Sequence, residues 1–440
     1  MTVMHGTHPS AGQHARRRAV IAGSVGNFIE WYEFGIYGFF ATVIAGQFFS
    51  ESGQGGVEAL IATYASFAIS FFFRPLGAAL FGRIGDRFGR RPTLIIVLLT
   101  MSVATAAIGF LPTYTMIGVA APVLLTLVRI IQGLSAGGEF GGAVSVITEF
   151  APPGKRGLYG AWQSFTVAMG LLAGAGTAAL LGLIFGEAGL ADWGWRVGFW
   201  LALPLGVIAL LLRLQLDETP KFREIEASSA DAPVAMPVAA GWRATAAAIL
   251  VGIGRLMGWS AAGYTFLVVM PSYLQSNLDA TFQQALVATV VANAGFAISI
   301  LPAGWLSDRI GRRWVMLCGT VLIIVLAIPL LNVLQSPGVG LVGHSAAVFI
   351  AGFVVGTIAG PGPAMLAEMF PTSVRYTGLG LAYSLSNAVF SGCAGLIITA
   401  LIARTGNIDV PAYYVIATGV VSAIALASLK GDAHRRELRS

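Results

Sequence analysis

Gly304-Trp305-Leu306-Ser307-Asp308-Arg309-Ile310-Gly311-Arg312-Arg313 has a near-copy earlier in the chain, Gly82-Arg83-Ile84-Gly85-Asp86-Arg87-Phe88-Gly89-Arg90-Arg91. Each stretch follows one long apolar run and precedes another, so each reads as a short polar turn between two spans, with glycines where the chain bends sharply. A second pair of matches supports the first: Glu149 precedes Arg156 by the spacing at which Glu368 precedes Arg375. Both pairs are offset by roughly 220 residues, the mark of one helical unit used twice.

Composition sets the medium. Of 440 residues 56% are hydrophobic and only 10% charged, where a soluble chain carries about a quarter charged. Windows of about 20 apolar residues give twelve spans, at 19–49, 57–82, 93–112, 116–149, 158–186, 194–215, 243–276, 283–306, 314–334, 342–369, 376–403 and 411–430. The fold expected is an all-α membrane protein of twelve transmembrane helices in two pseudo-symmetric six-helix bundles. The first run is too long for a signal-peptide core and reads as a retained helix.

Lys and Arg gather in alternate connectors: Arg16 to Arg18, the two Arg-rich turns, Lys155 and Arg156, Lys221 and Arg223, Arg375, and Lys430 to Arg439. The opposite side holds little beyond Arg196 and Arg404. By the positive-inside rule both termini are expected on the cytoplasmic side. The expected organisation is a tail at 1–18, a bundle at 19–216, a cytoplasmic linker at 217–241 rich in Ala, Ser and Pro, a bundle at 242–430 and a tail at 431–440.

Topology accounts for the net charge of +6 without nucleic acid. Cys318 and Cys393 lie in apolar segments and suggest neither a disulfide nor a metal site. Among catalytic signatures His-Glu-x-x-His, Gly-x-Ser-x-Gly and phosphate-binding loops do not occur, which argues against an enzyme and a nucleotide-driven pump. No metal or cofactor is expected.

Ionisable groups at membrane depth mark function. The first span contains Gly26-Asn27-Phe28-Ile29-Glu30-Trp31-Tyr32-Glu33-Phe34-Gly35-Ile36-Tyr37, and helical spacing puts Gly26, Glu30, Glu33 and Tyr37 on one face. The fourth span carries Arg129 near mid-membrane, then Gln132 and Glu139, with glycines at 133, 137 and 141 for close helix packing. A buried Arg needs a carboxylate, and the first span offers two. Glu30, Glu33 and Arg129 are therefore expected to form a proton-linked switch: burial and a second carboxylate favour the protonated acid, approach of Arg129 favours the carboxylate. Glu33, nearest the midplane, is the expected titrating group, while Glu30 could hold Arg74 or Arg129 in a fixed pair.

Arg255, about twelve residues into the seventh span, suits a carboxylate through its planar fork. Arg255 and Arg74, with Asn27, Tyr37, Gln132, Trp259 and Tyr264, are the expected substrate contacts; Trp31, Tyr32, Trp162 and Tyr383 are further rings able to stack. Gly360-Pro361-Gly362-Pro363 must interrupt the tenth span. At the cytoplasmic side two charge clusters, Asp86, Arg90, Glu149 and Arg156, and Asp308, Arg312, Glu368 and Arg375, are expected to hold the gate closed in one state.

These residues resemble a known family. The twelve spans and doubled turn motif resemble the major facilitator superfamily over almost the whole chain. Gly26-Asn27-x-x-Glu30-Trp31-Tyr32-Glu33-Phe34-Gly35, Arg74-Pro75-Leu76-Gly77, Gln132-Gly133-x-Ser135-x-Gly137-Gly138-Glu139 and Asp217-Glu218-Thr219-Pro220 are similar to the metabolite:proton symporter family. Its members move shikimate, 2-oxoglutarate, citrate and other organic acids, or proline and betaine. The resemblance implies inward, proton-coupled transport by alternating access, with a small-molecule substrate, protons and the bilayer as partners, in a monomer. Met270-Pro271-Ser272-Tyr273-Leu274 and Pro411-Ala412-Tyr413-Tyr414 are closest in character to the proline/betaine members. Against those members, the chain ends shortly after the last span without a coiled-coil tail, and Arg255 favours an anion. A small organic acid is thus the first expectation and a proline/betaine-type zwitterion the alternative; a uniporter, an exporter and a non-transporting sensor are further readings.

Overall fold

The computed structural model describes residues 9–51, 56–88, 90–137, 140, 144, 147–148, 151–152, 154–214, 242–371 and 375–429, with the side chains of 9–22, 82–83, 85–88, 90–91, 242, 244 and 376 left aside. The gate residues Asp86, Arg90 and Glu149, Glu139 of the fourth span, the linker at 217–241 and the C-terminal tail at 431–440 therefore lie outside the described side chains or residues, as do the side chains of the expected N-terminal tail.

In a hydrocarbon medium each span must satisfy its backbone internally, and the described residues are helical almost throughout. The first six crossings are α1 (Pro9–Phe39, continued by Ala41–Phe49), α2 (Val57–Phe88), α3 (Arg90–Phe110), α4 (Ala120–Ala136), α5 (Arg156–Gly189) and α6 (Trp195–Trp200 and Ala202–Leu214). The second six are α7 (Trp242–Tyr264 and Met270–Asn277), α8 (Phe282–Ile310), α9 (Arg312–Gln335), α10 (Gly340–Ala359 and Gly362–Met369), α11 (Arg375–Ser386 and Ala394–Thr405) and α12 (Val410–Ala427). Helix is continuous from Arg156 to Leu214 by hydrogen bonding, but Gly186 at φ +66° turns the chain there and separates α5 from α6.

The doubled motif behaves as a turn where it is described: Gly311, at φ +97°, ends α8 and starts α9. Close glycine packing also repeats. A Cβ on Gly133 or Gly137 would strike the carbonyl of Ser70 or Arg74 on α2, and one on Gly352 or Gly360 would strike that of Ala292 or Ile300 on α8. The α2–α4 and α8–α10 crossings are thus the same joint in the two bundles, and the 352/356/360 glycines carry a signal that the sequence reading used only for the fourth span.

The bundles meet through α5 against α8 and α10, α2 against α11, and α1 against α7. Two elements depart from α-helical geometry in this interface: π-helical turns at Thr265–Val269 inside α7 and Asn387–Gly392 inside α11. The interruption expected in the tenth span is present at Gly360-Pro361, and Gly362 just past it leaves room for the ring of Trp259.

Candidate functional site between the bundles

Between the two bundles lies a cavity of about 40 Å³, walled by Trp31, Trp259, Tyr264 and Tyr383, with Ser164, Ser260, Asn387 and Ser391 as its polar lining. The π-helical turns supply much of this wall, since Tyr264 immediately precedes one and Asn387 and Ser391 belong to the other. Rings dominate: Trp31 lies 6.2 Å from Tyr264, and Trp259 lies 6.2 Å from Tyr383. The hydroxyls are tied together. Ser391 donates to Asn387 Oδ1 at 2.8 Å and to the Ser260 carbonyl at 3.2 Å.

Arg74 stands behind this wall. It pairs with Glu30 at 3.4 Å, and its guanidinium lies 4.3 Å from the ring centroids of Phe34 and Phe71 and 5.8 Å from that of Trp31. Its Nε and Nη2 have no hydrogen-bond partner among the described residues, although the side chain is buried. Two N–H donors of a planar fork are therefore held ready beside an aromatic cavity, next to a carboxylate that balances the charge.

The face shared by Glu30 and Glu33 divides between two neighbours. Glu30 turns to Arg74 on α2, whereas Glu33 accepts hydrogen bonds from Ser102 (2.9 Å) and Thr105 (3.0 Å) on α3. Arg129 does not take the carboxylate partner expected for it. It donates to Gln132 Oε1 at 2.7 Å and Ser70 Oγ at 3.0 Å, and the rings of Tyr37, Phe67 and Phe34 surround its guanidinium at 4.2, 4.9 and 5.2 Å. The glycine joint draws α4 onto α2, so Arg129 meets Ser70 and Phe67 of α2 and the rings of Phe34 and Tyr37 on α1 rather than either α1 carboxylate.

Several expected substrate contacts lie elsewhere. Arg255 donates to the Ala425 carbonyl (3.2 Å) and to Ser428 Oγ (3.1 Å) at the last turn of α12. Side chains lean toward the N-terminus of their helix, which carries this guanidinium away from the cavity that Trp259, one turn further on, helps to line. Asn27 faces α5, donating to Thr166 Oγ1 at 2.6 Å and the Gln163 carbonyl at 3.2 Å. The Tyr37 hydroxyl meets Ser66 Oγ on α2, and Gln132 is bonded between Arg129 and Thr105. Of the rings able to stack, Trp31 and Tyr383 join the cavity; Tyr32 donates to the Gly198 carbonyl, and Trp162 is exposed and bonded to Ser24. Ser102, Thr105, Asn387 and Ser391 carried no sequence signal beyond being small polar residues in apolar spans.

At the end of the molecule bearing the Arg-rich turns, Asp308 accepts hydrogen bonds from Gly157 N (2.7 Å) and Leu158 N (2.9 Å), at the start of α5 in the other bundle. Arg312 donates to Asp308 (2.8 Å) and Glu368 (3.1 Å), and Arg156 lies 3.5 Å from Glu368. The C-terminal cluster therefore spans both bundles and draws in Arg156, which the sequence reading had assigned to the N-terminal one. The cause is the close approach of Gly157 to Gly304, where a Cβ would meet backbone. Arg375 donates from Nε to the Ala367 and Phe370 carbonyls, at 3.2 Å each.

The opposite end is closed as well. Thr42 donates to Gln275 at 3.1 Å, Tyr64 bonds Ser272 at 2.6 Å, and Phe40 stacks on Phe282. Contacts between the bundles thus flank the cavity at both ends.

Two six-helix bundles around a central cavity, touching each other at both ends, have the architecture of a membrane transporter. Residues 19–235 match the family model described as sugar (and other) transporter, and residues 248–439 match that of the major facilitator superfamily. The chain is 36% identical over 430 residues to the proline/betaine transporter of Escherichia coli (strain K12), covering 95% of this chain and 84% of that one. It is 34% identical over 427 residues to the glycine betaine/proline/ectoine/pipecolic acid transporter of Dickeya dadantii (strain 3937), with the same two coverages, 95% and 84%. The crystal structure of a D-xylose–proton symporter superposes with a TM-score of 0.74 at 19% identity, covering 96% of this chain and 99% of the other. The chain belongs to the major facilitator superfamily and, within it, to the metabolite:proton symporter family.

Proposed function

We propose that this chain is a proton-coupled symporter that imports zwitterionic solutes of the proline/betaine type. The aromatic cavity beside a self-neutralised Arg74–Glu30 pair carries the reading. A quaternary or secondary ammonium is attracted to the faces of Trp and Tyr, and a carboxylate suits the two unpartnered N–H donors of Arg74. A solute with no net charge matches a site whose charged groups sum to zero. The first expectation, a small organic acid, rested on Arg255; with Arg255 bound to the last turn of α12, that argument lapses. The names of the relatives, proline/betaine and glycine betaine/proline/ectoine/pipecolic acid transporters, support the same solute class.

In this reading Glu33 takes and releases the proton, Glu30 holds Arg74 in place, and the Arg156–Asp308–Arg312–Glu368 cluster gates the cytoplasmic end, with Arg375 bracing the end of α10. The Arg-rich turns face the cytoplasm of a bacterial inner membrane by the positive-inside rule, the linker at 217–241 joins the bundles there, and the working unit is a monomer. Uptake into proteoliposomes under an imposed inward proton gradient tests the proposal. Accumulation of labelled proline or glycine betaine, collapsed by a protonophore, is expected; accumulation of shikimate or 2-oxoglutarate with indifference to both zwitterions would overturn it.

A further inference from the structure

Arg129, Gln132, Thr105 and Glu33 form a chain of hydrogen-bond donors that all point one way. Arg129 Nη1 donates to Gln132 Oε1 at 2.7 Å, Gln132 Nε2 donates to Thr105 Oγ1 at 2.7 Å, and Thr105 Oγ1 donates to Glu33 Oε2 at 3.0 Å. All four side chains are 0% exposed. Hydrogen bonds aligned in one sense polarise one another, and a low-dielectric interior strengthens them. The geometry points to a bridged ion pair, in which Thr105 and Gln132 are positioning residues that transmit the protonation state of Glu33 to Arg129. This inference rests on the reading of Glu33 as the proton-carrying group.

The surroundings leave this route open. On α2, Arg74 is taken by Glu30 at 3.4 Å. On α1, the Tyr32 hydroxyl donates to the Gly198 carbonyl of α6, and that of Tyr37 meets Ser66 on α2. From α3, Glu33 receives the neutral hydroxyls of Ser102 and Thr105. The guanidinium of Arg129 is otherwise bonded to Ser70 and enclosed by rings. A buried cation requires a compensating charge, and the carboxylate to which its donor chain leads is Glu33.

Protonation reverses the last link. The Glu33 carboxyl becomes a donor and needs an acceptor, which Thr105 Oγ1 supplies once its single hydrogen turns to the Met101 carbonyl, already 3.0 Å away. Gln132 still donates to Thr105, so every donor keeps a partner, but the chain no longer ends on a negative charge. Arg129 then loses its electrostatic anchor while it remains in contact with Tyr37 and Phe67. Phe67 lies 6.1 Å from Tyr264, a wall of the cavity. The protonation signal thus has a packed path from Glu33, through Thr105 of α3 and Gln132 and Arg129 of α4, to the solute site, with no charged group on it besides Glu33 and Arg129.

The test uses the full chain in proteoliposomes, with Thr105→Val and Gln132→Leu, Ser299→Ala in α8 as control, and labelled proline as probe. Gradient-driven accumulation is expected to fall at least tenfold in Thr105→Val and Gln132→Leu, while proline counterflow at equal pH, which needs no proton movement, falls less than threefold. In a Glu33→Gln background neither substitution should reduce transport further. Accumulation retained within twofold, or accumulation and counterflow lost in parallel, would overturn the relay. A wild-type protein that exchanges proline but ignores the gradient would instead defeat the proton-coupled reading. A second readout needs no solute: the infrared carboxyl band that vanishes in Glu33→Gln should change its titration midpoint by at least one pH unit in Gln132→Leu and stay put in Ser299→Ala. An unmoved midpoint in Gln132→Leu overturns the relay whatever the transported solute.

Discussion

Arg74 and Glu30 show how one pair can serve both structure and recognition. Removing one member leaves a buried uncompensated charge, a loss of about 3–5 kcal/mol, whereas replacing both with neutral groups of similar size spares that penalty. Arg74→Met is therefore expected to lower the thermal unfolding temperature of the purified protein, and the double variant Glu30→Gln, Arg74→Met to recover most of it. Neither should bind proline well. The ring wall makes a separate prediction. Trp259→Ala should weaken glycine betaine binding measured by calorimetry by about 1–2 kcal/mol, roughly five- to thirty-fold, whereas Trp259→Phe keeps part of the cation–π attraction and loses less. At this scale the sequence revealed burial better than direction. It marked Glu30, Glu33, Arg74 and Arg129 as ionisable groups within apolar spans, and all four are buried. It did not resolve that Glu33 turns to α3 and Asn27 to α5, because helical spacing defines a face but not the neighbour that covers it. Arg255 was misread for a related reason, as its long side chain ends a turn away from its Cα.

The helices were legible from apolar run length, and the doubled turn motif revealed their pairing into two halves. What remained hidden was the geometry within a span. Nothing in Thr265–Val269 marks a π-helical turn, and Asn387–Gly392 offers only its final glycine, where a Cβ would press on the Phe71 ring of the other bundle. The glycine joints were legible in the fourth span and are testable. At Gly133 a Cβ would overlap the Ser70 carbonyl, a backbone atom that cannot yield without moving α2. Overpacking of this kind costs about 1–3 kcal/mol, so Gly133→Ala should lower the unfolding temperature by several degrees. Gly176 in α5 has nothing within 4 Å of its would-be Cβ. There Gly176→Ala should leave stability unchanged or raise it by about 0.5–1 kcal/mol through helix propensity alone.

For the molecule as a whole, a cavity of about 40 Å³ has room for a few waters, each needing roughly 10–15 Å³ on a comparable measure. An amino-acid-sized solute enters only if the bundles rock apart and the ring wall widens. The basic end resists that motion through the hydrogen bonds from the start of α5 to Asp308 and the Arg156–Glu368 pair, which cross between the bundles while Arg312 holds Asp308 and Glu368 in place within the second; a hydrogen bond to a charged group is worth about 1.5–3 kcal/mol. Glu368→Gln keeps the shape of the side chain but removes the charge that Arg156 and Arg312 share. Losing about that much should raise the ratio of open to closed molecules at the basic end by roughly ten- to a hundred-fold. Ser164 lines the cavity on α5, so a Ser164→Cys reporter, with Cys318 and Cys393 replaced by serine, reads that opening. Its labelling by a water-soluble thiol reagent applied from the basic end should accelerate at least tenfold in Glu368→Gln. Labelling from the opposite end should slow, because alternating access opens one end at the expense of the other. Equal acceleration from both ends would mean that the substitution loosens the bundles generally, and the cluster would then be a brace for the fold rather than a gate.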